Sequence, residues 1–181
     1  MRTLYIECNM GAAGDMLMGA LYELLEDKEG FLKTMNSLGL PGVHVEAEAG
    51  KTCGIAGTHM RVTVHGEEEA ACGHDHAHDH HHHHHHATPG HIGALIDGLN
   101  LPDEVKCHAK AVYDAIAQAE AHAHGCPLGD VHFHEVGAMD AVADVVGVSL
   151  LLFYGLWHSR FGRALNFIKE DDVAAEGCGV N

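Results

Sequence analysis

Three groups of residues in this sequence have types and spacings able to do chemistry. The first is the run VHFHEVG with Asp140 and Asp144 behind it. On an extended strand His132 and His134 share one face, because side chains alternate with period two. Asp140 and Asp144 are four apart and share a helix face, with Glu135 just ahead of that helix. Two imidazoles and up to three carboxylates could thus converge on one metal ion or one cationic substrate. The plainer reading is that the acids only cap the positive end of a helix and the imidazoles are only hydrogen-bond partners. Spacing alone does not separate the two.

The second group is a histidine tract: His74, His76, His78, His80, His81, His82, His83, His84, His85 and His86, ten of the chain's 20 histidines. Imidazole binds nickel, zinc and copper through a neutral ring nitrogen, so the tract offers many overlapping sites with no fixed geometry. Moderate affinity and fast exchange suit storage or delivery better than a catalytic centre, which needs defined ligands and supporting contacts. A cloning tag is the bland alternative, but tags are usually terminal, and this tract is internal and interrupted by Asp75 and Asp79. The third group is the glycine-rich turn NMGAAG with Asp15. Gly11, Gly14 and Asp15 could bring backbone N–H groups to an anion such as a phosphate at a helix start. There is no GK[ST] and no G-x-G-x-x-G, so a turn needed only for packing is the simpler reading. His108, His122 and His124 fall on a long helical pattern and read as surface residues rather than ligands.

The elements that must position these groups follow from periodicity. Thr3 to Cys8 reads as a short strand, and Met16, Leu17, Ala20, Leu21, Leu24 and Leu25 recur at helical spacing after it. A short helix is expected from about Glu29 to Leu38, stopped by Gly39 and Pro41. Val43 to Ala49 and Thr58 to His65 alternate and predict two strands flanking GKTCGIAG. Pro89 and Pro102 suit first helical positions, and the second opens a pattern from Asp103 to about His124 with Val105, Val112, Ile116 and Ala119 on one face. A further helix is expected from about Met139 to Leu152. The expected class is therefore α/β (α+β), a small mixed three-strand sheet with helices. Residues 1–66 form that layer, 67–88 a loop disordered by composition, and 89–152 a helical segment of the same domain. Residues 153–181 are expected to be a weakly ordered tail.

Composition narrows the classes of function. The 181 residues carry 10 basic and 26 acidic side chains for a net charge of −16, and 46% are apolar. Such a chain can bury a real core, but its acidity argues against nucleic-acid binding, which depends on Lys and Arg displacing counterions. Cations are the favoured partners. No apolar stretch reaches the roughly 18 residues of a membrane helix, and the N-terminus has no secretory pattern. The six cysteines form no C-x-x-C pair and read as reduced thiols in a cytoplasmic protein.

Taken together, LYIECNMGAAGDMLMGALYELL and VHFHEVGAMDAVADVVG, separated by a His-rich insert, closely resemble the LarC family of nickel insertion proteins over roughly residues 1–152. The resemblance implies delivery of Ni(II) to pyridinium-3,5-bisthiocarboxylic acid mononucleotide, forming nickel–carbon and nickel–sulfur bonds. The product is the nickel-pincer cofactor used by lactate racemase, made in a CTP-dependent, lyase-class cyclometallase step. It also implies that His74 to His86 are the family's His-rich stretch and His132, His134, Glu135, Asp140 and Asp144 its second motif. Insertion needs the metal stripped of water and a base for the proton leaving the ring carbon. His132 or His134 would hold the metal, and Glu135, Asp140 or Asp144 would be the base. Beyond Leu152 relatives continue into a Val-, Gly- and Pro-rich stretch and a C-terminal domain associated with CTP and metal, whereas this chain runs FYGLWHSRFGRALNFIKEDDVAAEGCGVN. The expectation is an N-terminal portion with a separately encoded C-terminal partner, CTP with Mg(2+) or Mn(2+) not being bound by this chain alone. A homo-oligomer is left open. Two other readings stay open: a nickel storage or metallochaperone module without catalysis, and an inactive truncated fragment.

Overall fold

The structure, a computed structural model, describes residues 5–7, 11–52, 54–67, 87–133 and 135–157. Among them are five α-helices and one two-stranded antiparallel sheet, a mixed α/β fold. Helix α1 (Gly14–Tyr22) buries Met18 and Tyr22, and α2 (Lys28–Met35) buries Phe31 and Met35. The Asp27 carboxylate caps α2 by accepting from the Gly30 N–H at 2.8 Å, which satisfies one of the amides a helix start leaves unpaired. Asn36, just past α2, then clamps the sheet. Its amide nitrogen donates to the Val45 carbonyl at 2.8 Å and its oxygen accepts from the Val45 N–H at 2.9 Å.

Strands β1 (Val43–Thr52) and β2 (Ile55–Val64) pair from Val43 with Val64 to Thr52 with Ile55. Both run further than the alternation predicts, because GKTCGIAG is mostly ladder: Gly50 faces Gly57, and the turn is only two residues long. Its Gly54, at φ +84°, takes a backbone conformation that costs other residues strain. The predicted three-strand sheet is corrected to two strands among the described residues. Residues 5–7 lie outside any ladder, with Tyr5 and Ile6 exposed, and the rest of the Thr3 to Cys8 run lies outside the described residues. A β-type run becomes a strand only when a neighbour offers its backbone a ladder, and among the described residues none does so for 5–7.

Helix α3 (Pro89–Gly98) is capped by Thr88, whose hydroxyl accepts from the His91 N–H at 3.3 Å. Helix α4 (Asp103–His124) starts after Pro102 and stops at Gly125, which takes the left-handed φ of +63° that closes many helices. Its buried stripe is Val105, Ala109, Tyr113 and Ala117; of the predicted face, Val105 is buried and Ile116 packs partly buried against the core, whereas Val112 and Ala119 are exposed. Two of the four stripe residues are alanines, which hydrophobicity alone ranks below valine and isoleucine. Helix α5 (Met139–Trp157) is central: it packs against α1, α4 and both strands, burying Val142, Ala143, Val146, Leu150 and Leu151. No helix among the described residues is long and apolar enough to cross a membrane.

The histidine tract lies outside the described residues, as do His134 and the tail from 158 onward. The chain on either side of the tract is held. Glu67 pairs with Val64, and buried Ala87 pairs with Phe133 in an isolated bridge, the Phe133 N–H donating to the Ala87 carbonyl at 2.8 Å.

Candidate functional site

The first and third groups, far apart in sequence, meet where α1 begins against α5. A Cβ built on Gly14 would stand 2.6 Å from the Asp144 Oδ2 and closer still to its Cβ, so glycine is needed for this approach. The Asp15 backbone N–H donates to the Asp144 carboxylate. The amide that a bound phosphate would have used is thus taken by one of the protein's own carboxylates. The other Asp144 oxygen, Oδ1, is buried without a hydrogen-bond partner. Burial, followed by the neighbouring charges of Asp15 and Asp140, pushes the Asp144 carboxyl up to about 7 against the Asp15 amide, which pulls the other way. A carboxyl poised near neutrality can both hold and release a proton at working pH.

Asp140 sits one turn before Asp144, its Oδ1 accepting from the Ala141 N–H at 2.7 Å. Asp15 faces β2, its Oδ2 lying 3.8 Å from the His59 Nε2. Tyr113 closes the other side. Its hydroxyl donates to the Val136 carbonyl at 3.0 Å, and burial together with the charges of Asp140 and Asp144 drives the phenol pKa upward, so it stays a donor. Sequence reasoning missed Tyr113 and His59. A lone tyrosine in an alanine-rich helix carried a weak signal for the first, and nothing in the spacing pointed to the second.

The VHFHEVG segment links this carboxylate group to the far end of α4. Val131 and Phe133 are buried, and His132 between them is exposed, as strand alternation requires. The Phe133 ring lies 5.6 Å from the Tyr113 ring, whereas Val131 and His132 share a cavity with His124. As the segment advances from 131 to 136, its contacts on α4 therefore step back from residue 124 to 113. Gly137 ends this run in a 3₁₀ turn (Glu135–Gly137) pressed on the bridge, where an added Cβ would stand 2.8 Å from the Ala87 Cβ and 2.9 Å from the Phe133 Cβ.

The structure brings Gly14, Asp15, Asp140 and Asp144 together, with Gly11 at a positive φ just ahead of the helix. His132 stands apart, along α4. Among the described residues no three His, Cys, Asp or Glu side chains are already gathered to hold a metal ion.

Residues 4–158 match the family described as nickel insertion protein. The pyridinium-3,5-bisthiocarboxylic acid mononucleotide nickel insertion protein of Lactiplantibacillus plantarum is 44% identical over 81% of this chain and 36% of its own length. Its counterpart in Acetivibrio thermocellus is 40% identical over 84% and 36%. That in Alkaliphilus metalliredigens is 38% identical over 82% and 36%. The chain thus spans about a third of the length of these curated relatives. No solved structure matches it.

Proposed function

The chain belongs to the nickel insertion protein family, and from that premise we propose that it gathers Ni(II) and delivers it to pyridinium-3,5-bisthiocarboxylic acid mononucleotide for insertion. The observation that carries the reading is the bridge between Ala87 and Phe133. Ala87 follows the tract directly in sequence and Phe133 follows His132, so the bridge joins the described residue next after the tract to the VHFHEVG segment.

In this reading His74 to His86 collect nickel, His132 and His134 pass it on, and the carboxylates serve the carbon–hydrogen bond. Insertion replaces a ring C–H with C–Ni. Nickel sheds water to the two thiocarboxylates, and the ring proton moves to a carboxylate. Asp144 suits that role because its carboxyl titrates near neutrality, with Asp140 and Glu135 as neighbours in sequence. CTP does not fit the start of α1: Asp15, Asp140 and Asp144 crowd it with negative charge, which a triphosphate would meet repulsively. The CTP-dependent part of the reaction falls to the portion of the relatives' length that this chain does not span.

The test is formation of the nickel-containing nucleotide by this chain, with the remainder of a full-length relative supplied in trans. Replacing His74 to His86 by alanine should lower product at limiting nickel and leave it unchanged at saturating nickel. Asp144→Asn should abolish product at any nickel concentration. A wild-type rate from Asp144→Asn overturns the base assignment, and an unmoved nickel dependence overturns the reservoir. No product from the wild-type chain overturns the insertion reading itself.

A further inference from the structure

At the C-terminal end of α4, away from the carboxylates of α1 and α5, four potential metal donors line one cavity of about 170 Å³: His124, Cys126, Asp130 and His132, with Val131 as its apolar wall. We propose that this cavity is a specific binding site for a borderline divalent cation such as Ni(II), separate from the histidine tract. The proposal deepens the nickel-handling reading and rests on it for the choice of cation.

Backbone devices set each donor. Gly125 in its left-handed conformation reverses the chain out of α4, and the Cys126 N–H returns to the Ala121 carbonyl at 3.1 Å, which holds Cys126 beside His124. Pro127 and the 3₁₀ turn Leu128–Asp130 carry the chain round, with the Asp130 N–H donating to the Pro127 carbonyl at 2.9 Å. Burial of Val131 and Phe133 then forces His132 outward on the same side.

The donor set has the chemistry of a metal site. Two imidazoles, one thiol and one carboxylate make a mixed nitrogen, sulfur and oxygen set of the kind that holds nickel or zinc. Cys126 is a free, half-buried thiol. The His124 Nε2 lies 3.2 Å from the Glu120 Oε2 one turn earlier, and a carboxylate beside an imidazole is the kind of neighbour that orients a ligating histidine. The four donors line the cavity without yet converging on one point. His124, Asp130 and His132 are exposed, which leaves their side chains room to turn toward a cation in the cavity. Binding would exchange water on the cation for these donors and release the Cys126 thiol proton to solvent.

The experiment titrates Ni(II) into the full chain under reducing conditions and reads the near-ultraviolet thiolate-to-nickel charge-transfer absorption, which histidines cannot produce. Wild type should show the band at one equivalent. Cys126→Ser should abolish it and Cys107→Ser, an exposed thiol on α4, should leave it intact. His124→Ala and His132→Ala should each weaken the nickel affinity read from the band by about tenfold or more, and Glu120→Ala by about tenfold, as loss of a supporting contact does. Far-ultraviolet circular dichroism of each variant confirms the fold, and His124→Ala, an exposed change, tests the site even if Cys126→Ser unfolds. Absence of the band in wild type, its persistence in Cys126→Ser, or unchanged affinity in His124→Ala overturns the proposal. A wild-type chain that shows the band but forms no product strikes the insertion reading alone, and a wild-type chain that forms product but shows no band strikes this site alone.

Discussion

Replacing Asp144 with asparagine removes a charge from the junction of α1 and α5 while keeping its shape and an acceptor for the Asp15 N–H. In the folded chain the carboxyl is raised from 3.8 to about 7, first by burial and then by Asp15 and Asp140. The folded state therefore holds this proton more tightly than the unfolded one. That contribution to stability is fully present below pH 3.8 and is lost as the pH rises through about 7. At 1.36 kcal/mol per pH unit the ceiling is about 4 kcal/mol. Asp144 is only partly buried, and solvent screening brings the expected loss to about 2 kcal/mol. The asparagine variant does not titrate, so relative to wild type it should gain little at pH 4 and about 2 kcal/mol at pH 8. For a chain of this size that is about 4–8 °C in melting temperature. The assay is thermal unfolding followed by circular dichroism from pH 4 to 8, read as the difference between the two proteins so that the shared histidines cancel. A difference that does not change with pH, or a variant that melts lower at pH 8, refutes the reasoning. The same variant is expected to form no product, so stability and activity should move in opposite directions at one residue.

Three further changes probe the packing that carries the site. Gly14→Ala drives a Cβ into Asp144 and should destabilise by about 1–3 kcal/mol, seen as a lower urea midpoint; an unchanged midpoint would mean that α1 and α5 can separate freely. Gly137→Ala meets the Ala87 and Phe133 Cβ atoms and should cost about 1–3 kcal/mol, with faster hydrogen exchange at the Phe133 amide as the bridge opens. Exchange at wild-type rate would show that the bridge does not depend on this glycine. Asn36→Ala leaves the Val45 N–H and carbonyl without their side-chain partners and should cost about 1–3 kcal/mol in chemical denaturation, and a loss below a few tenths would refute the clamp.

Features set by local chemistry were legible in the sequence. Pro102 and Gly125 bracket α4 as their backbone preferences demand, and the outward face of His132 follows from buried neighbours on either side. Features set by contact between distant segments were not. Gly14 reads as a turn residue until Asp144, 130 positions later, occupies the space its side chain would need. The perturbed Asp144 carboxyl depends on burial, which no spacing reveals. Spacing places Asp15 in an anion site, yet its own backbone amide serves Asp144. His124 is exposed, as its place on the helical pattern predicts, but the reversal at Gly125 also sets it in one cavity with Cys126 and His132.

The placement of soft and hard donors along α4 bears on why the two are separate. His124 and Tyr113 lie on the same helix eleven residues apart, about 16 Å at 1.5 Å per residue. Imidazole and thiol donors gather at the first, and the charges of Asp140 and Asp144 act on the second. A carboxylate coordinated to nickel cannot also accept a proton from the substrate, so a base stored within reach of the resting cation would be blocked. A carboxyl that titrates near 7 is also substantially protonated at neutral pH and competes weakly for the metal. On the proposed reading the cation then has to travel toward the carboxylates only when substrate thiocarboxylates wait there to take it. On that same reading the VHFHEVG segment, with His134 beyond His132 in sequence, would be the route. His132→Ala should accordingly slow nickel transfer while leaving the Asp144 titration unmoved, whereas a changed melting profile between pH 4 and 8 in that variant would mean that the two ends are coupled and the separation argument fails.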